Sequence, residues 1–191
     1  MDIEWASNLT EVKHMVLYRF EGKEPRIRKG TYVSQSAEVI GDVTIGKQCY
    51  IGSGAKVRGD YGRIVIGNKT SIEENCILHA RPNETCKVGN MVTVGHGSIL
   101  HNCTVKDYAV IGMGAIVSDY AVVGVWSVVG EGCVVKNKQV IGDGKIVVGV
   151  PAKTVGEVSK DYQKLWSRYK NIYTKLALKY PKKLEALKPD K

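Results

Sequence analysis

The sequence predicts an all-β protein whose chain coils into a triangular prism of about six turns, a parallel β-helix, followed by one C-terminal α-helix. Three observations predict it. Aliphatic residues recur every six positions over most of residues 30–150. Glycine is abundant, at 21 residues, while aromatics make up only 7%. Beyond residue 156 the apolar period changes from six to that of a helix.

Residues 1–15 carry no repeat and read as an N-terminal extension. The repeat domain spans 16–156. Its aliphatic positions run Val33, Val39, Ile45, Ile51, Val57, then Ile66, Ile72, Leu78, then Val88, Val94, Leu100, and from Val105 every six residues to Val147. A period of six suits neither an amphipathic helix nor a hairpin sheet. It suits a coil in which each hexad makes one short strand and one corner, with the aliphatic side chain inward. Nineteen such positions at three per coil give about six coils. The fifth place of a hexad is small, as at Cys49, Ala55, Cys76, Ala115 and Cys133, so these cysteines read as buried wall residues. This pattern resembles the hexapeptide-repeat proteins, which implies a left-handed parallel β-helix.

The rhythm breaks twice. Residues 58–65 stretch one hexad by three and residues 79–87 another by four, and both read as loops leaving the coil. After the closing GVPAKTV, residues 157–191 form an amphipathic helix and basic tail. Tyr162, Leu165, Trp166, Tyr169, Ile172, Tyr173, Leu176 and Tyr180 fall at helical spacing, with Pro181 stopping the run. That stripe calls for a partner, the prism or a neighbouring subunit.

Composition narrows the function. With 43% hydrophobic residues in 191, the chain can build one core and an appendage. No apolar run reaches the ~20 residues of a membrane span, and the first thirty residues lack a basic start followed by an apolar stretch. Five cysteines with no CxxC argue against a disulfide framework. A cytoplasmic location is therefore expected. Of the net charge of +9, residues 157–191 contribute +6. A basic tail can serve nucleic acid or an anionic surface, but here it reads as the solvated face of the helix, and no nucleic-acid partner is expected.

Three of the four histidines, His79, His96 and His101, lie within 23 residues. Leu78 and Leu100 are inward positions one full coil apart, so His79 and His101 should stack on one outer face ~4.8 Å apart. Two imidazoles there can share a metal. His96 sits on the preceding face and can reach that ion only on a neighbour, across a three-fold axis. Three neutral nitrogens with an open position suit a catalytic zinc, which lowers the pKa of water to roughly 7. The same counting places Arg58 beneath His79 and Glu74 beneath His96. Arg58 and Asp60 then read as interface residues, a loop-stabilising pair being the alternative, with Glu74 offered to the neighbour.

VRGD at 57–60, TSIEENCILH at 70–79 and VGHGSILH at 94–101 resemble the gamma-class carbonic anhydrases and their close relatives. The resemblance covers nearly the whole chain. It implies a homotrimer with interface metal sites, ligands His79, His96 and His101, and an interface pair Arg58 and Asp60. The metal would be Zn, with Co or Fe possible, and the reaction reversible hydration of carbon dioxide to bicarbonate.

The departures concern turnover. The family reads Asn-x-Gln-Asp where this chain has Ser71, Ile72, Glu73 and Glu74. Glu73 thus replaces a glutamine beside the metal, where it could act as a base. Tyr61 stands where active members carry Glu, and their long acidic loop is here a short segment whose only acid is Glu84. Glu73 and Tyr61 are the catalytic candidates, and the expected anhydrase is weak. Two alternatives are an acyltransferase using acyl-coenzyme A with a single histidine base, which leaves the stacked pair unexplained, and a metal-binding relative with little anhydrase activity.

Overall fold

The computed structural model describes residues 16–185 and 187. The expected extension at 1–15 and the last residues of the basic tail lie outside the described residues.

The chain is a left-handed parallel β-helix of seven turns with one C-terminal helix. The first face stacks Val16–Tyr18, Glu38–Ile45, Lys56–Ile66, Ile77–His79, Ile99–His101, Ile116–Val117 and Val134–Val135. The third face stacks Tyr32–Val33, Tyr50–Ile51, Ser71–Ile72, Thr93–Val94, Val110–Ile111, Val128–Val129 and Lys145–Val148. Lys153–Glu157 then folds back antiparallel on this last strand and closes the end. The turn beyond the expected six is made by Val16–Tyr18 and Arg26–Ile27. These lack the hexad spacing yet pair in parallel with Glu38–Ile45, aligning Leu17 with Val39 and Ile27 with Ile45.

Every inward aliphatic position from Val33 to Val147 named above is buried, and the five cysteines are buried and unpaired. Two of those at wall positions satisfy their thiols on corner carbonyls: Cys49 Sγ donates to Gly67 O at 2.9 Å and Cys76 Sγ to Gly95 O at 3.1 Å. Burial pushes these two thiols up to about 11 and about 12, so they are inert wall residues.

The expected loop at 58–65 is instead strand. Lys56–Ile66 runs round a corner beside Glu38–Ile45 and joins the first face to the second, where Arg26–Ile27, Thr85–Val88, Thr104–Val105, Val122–Val123 and Val140–Ile141 stack, into one sheet. The alternation of buried and open residues runs through Glu38–Ile45 and is interrupted once in Lys56–Ile66, at Asp60 and Tyr61, where the register with Glu38–Ile45 shifts, so the added residues form a bulge that widens the corner within the strand. Gly41 makes this possible. It has φ +74°, and a Cβ there would stand 2.4 Å from Gly59 O. The second expected loop is shorter than the sequence suggests, because Thr85–Val88 has already rejoined the coil.

The helix, Lys160–Lys183, starts at an N-cap where the Ser159 hydroxyl accepts from the Tyr162 N–H at 3.1 Å. It does not stop at Pro181. A proline in the last turn forfeits one hydrogen bond, and the Leu184 N–H still reaches Tyr180 O at 3.0 Å. The helix runs back along the third face. Tyr180 stacks on Tyr32 at 5.1 Å, Tyr173 meets Tyr50 edge-on at 5.2 Å, and Lys170 donates to Ala109 O at 3.0 Å. Only part of the apolar stripe is covered: Leu165, Tyr169 and Ile172 are each about half exposed.

Candidate metal centre

The strand register aligns Arg58 with His79 and His79 with His101, because the inward residues Val57, Leu78 and Leu100 stack directly. The two imidazoles meet with His79 Nδ1 3.2 Å from His101 Nε2. Their outer nitrogens are anchored by carboxylates, His79 Nε2 to Asp60 Oδ1 at 2.9 Å and His101 Nδ1 to Asp119 Oδ1 at 2.5 Å.

These anchors favour one tautomer of each ring. Each carboxylate accepts a proton from the nitrogen it faces, so the converging nitrogens of the neutral rings both carry lone pairs. Two lone pairs at 3.2 Å repel unless a cation lies between or beside them. Two nitrogens bound to one tetrahedral zinc at ~2.05 Å stand about 3.3 Å apart. The pair fits a divalent ion in donor type, spacing and outer hydrogen bonding.

The carboxylates are anchored in turn. Arg58 Nε is 3.2 Å from Asp60 Oδ2, while Arg81 donates to Asp119 Oδ2 through Nε at 2.8 Å and Nη2 at 2.5 Å. The hydrogen bonds of Arg81 and then of His101 lower the Asp119 carboxyl despite its burial. For Asp60, burial raises the carboxyl, but hydrogen bonds from His79 and the Tyr61 N–H and the charge of Arg58 outweigh it. Arg58 and Asp60 thus form the local pair weighed in the sequence, and Asp60 also holds a candidate ligand. Tyr61 is half exposed, with its ring edge-on to that of His79 at 5.4 Å.

His96 lies on another face, after Thr93–Val94, with no hydrogen bond or ion pair to His79 or His101. Among the described residues no group of three or more His, Cys, Asp or Glu is placed to hold an ion within one chain. Glu74 lies beneath His96, as the counting expects, and its Oε2 is 2.7 Å from Nδ1. Tyr50 Oη donates to Glu74 Oε1 at 2.8 Å. Glu73 Oε2 is 3.1 Å from His96 Nε2. Both ring nitrogens of His96 therefore face carboxylates of their own chain, and Nε2 must leave Glu73 to reach an ion elsewhere. Glu73 is not an ordinary solvated carboxylate. It is 5% exposed, and burial raises its carboxyl against the lowering effects of His96 and the Tyr173 hydroxyl.

The sequence reading missed Asp119 and Arg81. Asp119 follows Ser118, the residue in register with His101, and Arg81 comes from the loop outside the repeat. A carboxylate one coil beyond a histidine was the available signal.

No family model matches the chain. A carbonic anhydrase from Geobacillus kaustophilus is 41% identical over 158 residues, covering 83% of this chain and 87% of that protein. The chain belongs to the gamma-class carbonic anhydrase-like family of hexapeptide-repeat proteins. The carnitine operon protein CaiE of Escherichia coli O157:H7, a further relative, is 37% identical over 77% of this chain and 75% of its own length. Among solved structures, a hexapeptide transferase family protein from Anaplasma phagocytophilum superposes with a TM-score of 0.80 at 30% identity, covering 87% of this chain and 98% of that one. This carbonic anhydrase-like chain thus shares its fold with proteins named for two different reactions.

Proposed function

We propose that this protein is a zinc-dependent enzyme hydrating carbon dioxide to bicarbonate at metal sites shared between the subunits of a homotrimer. The observation that carries the reading is the convergence of His79 Nδ1 and His101 Nε2, each ring anchored through its other nitrogen by a carboxylate. His96 of a neighbouring subunit is the third ligand. Cobalt or iron would suit the same nitrogens, since geometry and supply rather than affinity decide the metal. When bound, the ion supplies Lewis acidity and brings the pKa of water to about 7.

The chain's own residues do the rest. Asp60 and Asp119 accept the outer N–H of each ring, so that in the neutral tautomer the inner nitrogen is the one that carries the lone pair. Glu73, raised by burial, is better matched to a proton leaving at neutral pH than a solvated carboxylate is, and it stands beside His96 where the sites would form. Tyr61 covers His79, and Arg58 and Glu74 brace ligands from outside. The buried, unpaired thiols support a reducing, cytoplasmic setting, and no helix among the described residues is long and apolar enough to cross a membrane.

An acyltransferase is the second reading, favoured by the likeness to the hexapeptide transferase family protein. It requires one histidine base and makes no use of the paired rings. Elemental analysis followed by stopped-flow hydration with and without chelator separates the two. About one zinc per chain and chelator-sensitive hydration support the first; a metal-free protein that acylates with acyl-coenzyme A supports the second.

A further inference from the structure

The contacts through the paired histidines read in order Arg58, Asp60, His79, His101, Asp119, Arg81. The order is the same from either end. Arg58 and Asp60 belong to one tight segment of strand, and the family resemblance already marks them. The other half is assembled from two distant places, a loop that leaves the coil and a corner beyond His101, and it makes the shorter contacts.

We propose that Asp119, clamped by Arg81, is a positioning residue that holds His101 with its proton on Nδ1 and so turns Nε2 toward His79. The proposal rests on the metal reading above and extends it to two residues outside the ligand set.

The geometry leaves Asp119 little other employment. It is 6% exposed, its Oδ1 is taken by His101 and its Oδ2 by two nitrogens of Arg81. Both guanidinium nitrogens converge on the one oxygen Oδ2, a two-donor contact in fixed geometry that leaves Oδ1 to His101 and that a single lysine charge would not reproduce. Asn102 helps to place the loop, its Oδ1 accepting from the Arg81 N–H at 3.3 Å, while its own N–H donates to His79 O at 2.9 Å. The four-residue stretch in the repeat at 79–87 thus has a physical reason: a regular corner would not carry a guanidinium across to Asp119. Without the carboxylate, the His101 proton is free to move to Nε2, where it would occupy the position an ion needs.

The test uses full-length Asp119→Asn and Arg81→Met beside the unsubstituted protein, each checked for unchanged mass and circular dichroism. Zinc affinity is measured by competition with a chromophoric chelator, and the His101 tautomer by long-range proton–nitrogen correlation on the metal-free protein. The expected result is an Nδ1–H tautomer in the unsubstituted protein, a mixture in Asp119→Asn, and a loss of zinc affinity of about 10–100-fold there. Arg81→Met should give a smaller loss in the same direction. An Nε2–H tautomer in the unsubstituted protein, or Asp119→Asn with unchanged tautomer and affinity, overturns the proposal. A protein that binds no zinc while keeping the Asp119-dependent tautomer would overturn the metal reading and leave the positioning role standing.

Discussion

At the scale of single residues, stacking register makes the paired histidines and the carboxylates around them a counting problem. Replacing His79, His96 or His101 by Ala should each remove most of the bound zinc, measured by elemental analysis on material of unchanged oligomeric mass. Full metal in His96→Ala would exclude a shared site. Glu73→Ala should lower the hydration rate roughly tenfold in dilute buffer and less in concentrated buffer, because a small base in solution can take the proton instead. A rate at vanishing buffer that is indifferent to Glu73→Ala would show that the proton leaves elsewhere. The stacking of Arg58, His79 and His101 and that of Glu74 beneath His96 follow from counting, because the first three lie next to an inward position and the other two lie two places after one, where a coil is a whole number of hexads plus a visible insertion. Asp119 escaped because its side chain acts from one place beyond the paired residue. Glu73 was located, but its burial was not legible, since the helix that covers it comes from a hundred residues further along the chain.

At the scale of elements, the helix shows where periodicity stops being informative. The apolar stripe was legible, yet the seam against the prism contains Lys170, 2% exposed, with its ammonium 3.0 Å from Ala109 O, 3.3 Å from Thr93 Oγ1 and 5.7 Å from the centre of the Trp166 ring. Burial pulls this lysine down to about 7, with the charge of Glu73 opposing in part. Below about 7 it is protonated both folded and unfolded, and above the ordinary lysine value of ~10.5 it is neutral in both. Between these limits the unfolded chain holds a proton that the folded chain has shed, so stability should rise with pH from about 7 to about 9, on the order of a few kcal/mol. Lys170→Met should abolish that rise and increase the melting temperature at pH 7, since it removes a buried charge and keeps most of the packing volume. Thermal melts at pH 6, 7, 8 and 9 check both, and a slope that survives the substitution would place the titrating group elsewhere.

At the scale of the whole molecule, the hexad rhythm disclosed six of the seven turns. The remaining turn was hidden because its strands are held by pairing to Glu38–Ile45 and not by a repeat of their own. The separation of His96 from the His79–His101 pair has the larger consequence. A site built from a pair on one chain and a single histidine on the next is completed on every chain when the assembly closes into a ring, and a homotrimer by light scattering is the first expectation. A ring also permits a sharper experiment. A His96→Ala chain keeps an intact pair, and a His101→Ala chain keeps an intact His96. Each homotrimer should be empty and inactive. When the two are unfolded together and refolded as an equimolar mixture, about three trimers in four contain both chains, and each of these has one interface where an intact pair meets an intact His96. Zinc and hydration should therefore return together to about a quarter of the unsubstituted level. Recovery of neither, from mixed trimers demonstrated by differential tagging, would mean that the three histidines do not meet across an interface.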